Sequence, residues 1–178
     1  MSEFSERLRH RHGESAINAI SAGCFFILIG AIFATTPTIV DGVSAFFRDF
    51  DILKVPHTEI YLPAPKSPST HTIVYSAALQ FSLVWGIFQI AVLLLRFFMH
   101  SKLSKKAETA SNIVYWFGSY YLIMTFLNET TTLTTWFAYW AAIIILLGIT
   151  LIVRAFILAV WRQMSSDLRP LHGSKRAS

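Results

Sequence analysis

From Ala16 to Thr36 the chain carries no charged residue, and the same holds from Ile73 to Leu95. A helix as long as the first run rises roughly 31 Å, the depth of a bilayer's hydrocarbon core. Two further apolar runs follow. Ile113–Leu127 would rise only roughly 22 Å and needs residues from either flank. Thr135–Val153 is interrupted by Arg154 and resumes over Ala155–Trp161. Each run is too long for a strand, and in lipid only a helix satisfies its own backbone polar groups.

Composition supports the same solvent. Hydrophobic residues make up 54% of the 178 and charged residues 14%, against about 25% charged in soluble chains. Too little charge remains to cover a soluble globule, and the chain is too apolar to be disordered. The single cysteine, Cys24, excludes an internal disulfide framework and reads as a small packing residue. The expected class is an all-α integral membrane protein: a four-transmembrane-helix bundle with spans at about 16–36, 73–95, 113–127 and 135–157. These fall within a membrane domain over 15–162, between a basic tail at 1–14 and a second tail at 163–178. The first run exceeds the 7–15 residues of a signal-peptide core and lacks a small-x-small site after it, so a retained helix is expected.

Orientation follows from the basic residues. Arg7, Arg9 and Arg11 precede the first span, and Arg96, Lys102, Lys105 and Lys106 lie between the second and third. Arg154, Arg162, Arg169, Lys175 and Arg176 close the last span and the tail, so twelve of the fifteen basic residues gather on one side. Only Arg48, Lys54 and Lys66 lie opposite. Both termini are therefore expected in the cytoplasm, most simply at the cell membrane. The net charge of +5 flanks apolar runs, which argues for lipid and against nucleic acid.

The long connection 37–72 is expected outside. Ile39, Val43, Phe46, Phe47, Phe50 and Leu53 recur at spacings of three and four, with Asp41, Ser44, Arg48, Asp49 and Asp51 between them. That stripe predicts an amphipathic helix over about 38–53 lying in the interface. Prolines 63, 65 and 68 predict an extended, polyproline-like segment over 61–70 without internal hydrogen bonds. On the other side, Lys105 and Lys106 predict a helix that starts before the membrane and sets its lysines among anionic headgroups. The tight connection 128–134 predicts that the last two spans are antiparallel neighbours.

Chemical motifs are scarce. The six histidines avoid the apolar runs, and none forms the helical pairing of a metal site. His57, Glu59 and His71 share one loop without a metal-ligand spacing. No nucleophile motif or phosphate-cradling glycine loop is present, so no enzyme, metal or cofactor is expected.

Polar residues within spans are the better guide. Tyr75, Ser82, Gln89 and Arg96 recur every seven residues and share one face of the second span, drifting only about 20° per heptad. Gln80 lies about half a turn away from Gln89. Arg154 lies near the inner end of the fourth span, where its stem can reach the headgroups, and a helix continuing to Trp161 would set it one to two turns inside. Glu129 closes the third span. Asn128-Glu129-Thr130 matches a glycosylation acceptor too close to the membrane for use. Ala19, Gly23, Gly30 and Ala34 form a small-residue face for helix packing on the first span.

Two function classes fit. The first is a structural or interaction subunit that self-associates or joins a membrane complex. The second is an oligomeric channel or small transporter with a polar path near the Ser82–Gln89–Arg96 face. That face decides between them: tight packing favours the first, a wet cavity the second.

Overall fold

The computed structural model describes the backbone of residues 2–99 and 101–167 and the side chains of residues 15–99 and 101–163. The fold is mostly helical. Helix α1 spans Ser2–Thr35 and α2 Ile39–Arg48; strands β1 (Phe50–Lys54) and β2 (Tyr61–Pro65) follow. A single 3-10 turn at Pro68–Thr70 leads into α3 (Thr72–Phe98), then α4 (Leu103–Phe126) and α5 (Leu133–Asp167).

Three helical stretches are long and apolar enough to cross a membrane: Ser15–Thr35, Thr72–Phe98 and Leu133–Gln163. The expected count of four is not met, because α4 is too polar. Its first half carries Lys105, Lys106, Glu108, Ser111 and Asn112, and its second half Ser119, Tyr120 and Tyr121. In extent α4 nevertheless matches its neighbours. It rises roughly 36 Å and lies antiparallel between α3 and α5, joined to each by a short turn. Gly86 of α3 faces the Phe117 ring, while Gly118, about 100° further round α4, faces Leu146 of α5. Helix α1 packs on α3 through Phe25, set edge-on to Phe81 and Trp85.

The turn between α4 and α5 is built from hydroxyls. Thr131 Oγ1 accepts the Asn128 amide at 2.7 Å, and the Thr130 amide donates to Asn128 Oδ1 at 2.9 Å. The Thr132 and Thr135 side chains each accept the other's backbone N–H, at 3.3 and 2.7 Å. This reciprocal exchange satisfies amides that a helix start leaves without intrahelical partners.

The connection after α1 departs from expectation. The helix expected over about 38–53 ends at Arg48, and Phe50–Lys54 pairs antiparallel with Tyr61–Pro65. The segment expected as free polyproline is thus extended but hydrogen-bonded, within a two-stranded ribbon. Prolines fit there because Pro63 and Pro65 are two residues apart. Backbone groups alternate sides along a strand, so both missing N–H groups belong to the edge turned away from β1. The even-numbered positions face the partner, and the register continues as Val55 N–H to the Ile60 carbonyl (2.8 Å) and Lys66 N–H to the Asp49 carbonyl (3.0 Å).

Under the ribbon lies the main buried cluster: Ala64, Tyr75, Ile123, Leu127 and Trp136, with Phe46, Phe50 and Leu53 packed on it. The terminal segments differ as well. Residues 2–14, expected as a tail, continue α1 as helix, and α5 runs through Trp161 to Asp167. The later tail, with Arg169, Lys175 and Arg176, lies outside the described residues.

Gly118 tests the α4–α5 contact. A Cβ there would strike the buried side chain of Leu146. Gly118→Val is expected to lower stability by about 1–3 kcal/mol, the range for overpacking, read as thermal unfolding in mild detergent. An unchanged midpoint would mean the two helices do not meet there.

Candidate functional site

At 100° per residue, Trp85 and Gly86 give α3 two directions: Trp85 toward α1 and Gly86 toward α4. Gln89 and Arg96 fall between these directions, so the polar line faces the seam between α1 and α4. Ser82 is buried and donates to the Ala78 carbonyl of its own helix at 2.8 Å. Gln89 is half-buried, and its side chain hydrogen-bonds to no described residue. Gln80 is exposed on the other side of the helix.

Arg96 is the most connected member. Its Nη1 donates to the Lys105 carbonyl at 2.6 Å and to Thr109 Oγ1, and its Nη2 donates to Asn18 Oδ1 at 3.4 Å. The Thr109 hydroxyl donates in turn to the Lys105 carbonyl at 2.9 Å. The guanidinium therefore ties α3 to α1 and to the first turns of α4. It also stands in the last turn of α3, where a cation is favoured by the exposed carbonyls. The clefts at Asp41–Asp49, at Asn128–Thr130 and at Leu103–Ala110 take no wall from Ser82, Gln89 or Arg96.

The other expected positions scatter. Arg154 is half-buried, thirteen residues before the end of α5, its side chain without a hydrogen bond or ion pair to a described residue. Glu129 is exposed and lines a shallow cleft with Asn128, Thr130, Thr72 and Ser76. Ala19, Gly23, Gly30 and Ala34 are all exposed, and nothing stands within 4 Å of where a Cβ on either glycine would lie. Among the described residues the small face thus makes no helix contact.

A second constellation holds the ribbon to α3. His71 Nε2 lies 2.9 Å from Asp49 Oδ2, and the same oxygen accepts the Ser67 amide at 2.8 Å. The His71 side chain is only 7% exposed, and that of Asp49 22%. Phe46 meets the imidazole edge-on at 5.1 Å, and the Tyr75 hydroxyl donates to the Pro68 carbonyl at 2.8 Å. The hydrogen bond from His71 holds the Asp49 carboxyl below the usual carboxylate range; partial burial opposes it, and the Ser67 amide and the Lys66 charge add to it. Lys66 itself pairs with Asp51 at 3.1 Å. Sequence patterns missed this pair because 22 residues separate its members. His57 sits apart, exposed in the ribbon turn, so it joins no site with His71 and Glu59. Among the described residues no three His, Cys, Asp or Glu side chains could hold a metal ion.

Comparison with protein-family models, curated proteins and solved structures finds no match.

Asp49 releases its proton more readily in the fold than in the unfolded chain. Its contribution is thus fully present above the ordinary carboxylate value of about 4 and is lost as pH falls through the lowered folded value. Amide exchange at Lys66 and Ser67, corrected for intrinsic rate, should stay slow from about pH 7 to 5 and accelerate below about 4. Asp49→Asn should remove that dependence. The same acid profile in both proteins would place the loosening elsewhere.

Proposed function

We propose that the chain is a multi-pass membrane protein in which α4 is a fourth span, and that it serves as a structural or interaction subunit. Both termini then lie on the cytoplasmic side. Charge supports this orientation: Arg96, Lys102, Lys105 and Lys106 gather at the α3–α4 end, whereas Asp41, Asp49, Asp51 and Glu59 gather at the ribbon end. The place of α4 between two apolar neighbours supports its crossing. Of its polar side chains, Thr109, Ser111 and Ser119 are buried against protein, where lipid tails cannot reach them.

One observation carries the functional reading: the Arg96 guanidinium is occupied by three partners on two other helices. A polar line that ends in such a knot is a helix fastener. A transport path needs its cation and amides free to meet water or solute. The long exposed flanks of α1 and α5, with Phe26, Ile27, Ile144, Ile152 and Phe156, suit lipid or a partner's helices. Self-association or a place in a larger membrane complex follows from the small-residue face that one chain leaves uncovered.

The fastener reading separates two substitutions. Gln89→Leu should cost about 1 kcal/mol or less, because the amide and its need for a partner disappear together. Arg96→Leu should cost about 1.5–3 kcal/mol, since it strips charged hydrogen bonds from two helices. Thermal unfolding in mild detergent reads both. Ion leak through liposomes holding either variant should match that of the parent chain. A Gln89→Leu protein of unchanged stability but altered leak would make the line a conducting path.

A further inference from the structure

Helix α3 carries a second row of side chains on its outer flank. Gln80, Val84, Ile87, Ala91 and Leu94 are all exposed, at successive spacings of four, three, four and three. That alternation is the contact line of a left-handed helix pair. Trp85 gives the direction of α1 and Gly86 that of α4. Gln80, Val84, Ile87 and Ala91 each point about 100° or more from both. The row therefore lies on the side of α3 turned away from α1 and α4. At its outer end Ile73, seven residues before Gln80, is held against Gly42 of α2. We propose that this row is the contact with a second copy of the chain, made α3 to α3 and fixed by a pair of Gln80 side chains.

The amide is what demands a partner. Gln80 stands eight residues after Thr72, roughly 12 Å along α3 and inside the uncharged run Ile73–Leu95. Its side chain hydrogen-bonds to no described residue. Lipid tails suit Val84, Ile87 and Leu94, but they leave the donors and the acceptor of an amide unmet. Phe26 and Ile27 of α1 and Ile144 and Ile152 of α5 are equally exposed and make no such demand. Gln89, the other amide of the span, faces the seam between α1 and α4 and takes no part in this row.

Symmetry selects a second copy. Copies inserted in one orientation hold their α3 helices parallel. A two-fold axis along the bilayer normal then sets Gln80 opposite Gln80 at the same depth. A carboxamide both donates and accepts, so two of them satisfy each other across that axis. An unrelated helix would have to supply an amide at that depth and facing. Ala91 lets the two backbones come close, while Val84, Ile87 and Leu94 supply the apolar contact. One polar residue in an otherwise apolar line also fixes register and partner number.

The inference rests on the self-association reading and deepens it by naming the surface. Full-length chains carrying one cysteine at Ser67, in a Cys24→Ala background, can be labelled for energy transfer and diluted with lipid in liposomes. They should form dimers that separate as lipid is added. Gln80→Leu should weaken the dimer about threefold to thirtyfold, the share of an interhelical hydrogen bond. In the same background without the Ser67 change, single cysteines at Ile87 and at Leu94 should oxidise to cross-linked dimers, and one at Ile144 should not. Unchanged association in Gln80→Leu overturns the amide pair. Cross-links at Ile144 and none at Ile87 move the contact to another face and overturn this surface while self-association stands. Energy transfer no greater than random encounter at every lipid ratio would instead overturn self-association itself.

Discussion

Helix α4 is too polar to be stable in hydrocarbon alone, and the arrangement of the other helices turns on that fact. Its apolar run is short, and serines, an asparagine and tyrosines dilute it. What α4 has is protein on two sides. Gly86 lets the Phe117 ring approach α3, and Gly118, about 100° further round α4, lets α5 approach. Three of its hydroxyls are buried against neighbours. Arg96 then hydrogen-bonds its first turns and reaches across to α1. On the proposed reading, α3 and α5 carry the cost of taking α4 across the membrane.

The two ends of the molecule are secured by different chemistry. At the α3–α4 end the fastening is cationic and made by one long side chain. At the ribbon end it is aromatic and carboxylate-based: Phe46, Phe50, Tyr75 and Trp136 stack edge to face, and Asp49 bridges His71 and the Ser67 amide. This division matches a molecule whose two ends meet different surroundings. The ribbon caps the buried cluster and places its acidic residues away from it. The opposite end gathers Arg96, Lys102, Lys105 and Lys106 beside Glu108.

Much of this was legible in the amino-acid pattern, for physical reasons that also mark where legibility stops. Runs without charge identified the three long apolar helices, since hydrocarbon imposes a length and a composition at once. The early start of α4 was legible from Lys105 and Lys106. Its polarity as a whole was the harder matter, because a helix shielded by protein need not satisfy lipid. The extension of α1 back to Ser2 had a weak signal in Glu3 and Arg7, four residues apart, which apolar runs cannot reveal. The stripe from Ile39 to Leu53 was read as one helix, yet Phe50 and Leu53 belong to a strand. Phenylalanines at helical spacing also fit a helix followed by a strand packed on the same core. The overlooked cue was Pro63 and Pro65, whose spacing of two is that of a strand edge. The Asp49–His71 pair depends on distant segments meeting, so no local pattern announces it.

Everything proposed for the molecule depends on α4 lying across the bilayer with α3 and α5. Single cysteines at Ser67, Lys102 and Thr130, placed one at a time in a Cys24→Ala background, report this directly when intact cells are treated with an impermeant thiol reagent. If α4 crosses, positions 67 and 130 label together and position 102 is protected until the cells are opened. Equal labelling at 102 and 130 would put both ends of α4 on one side and contradict the account.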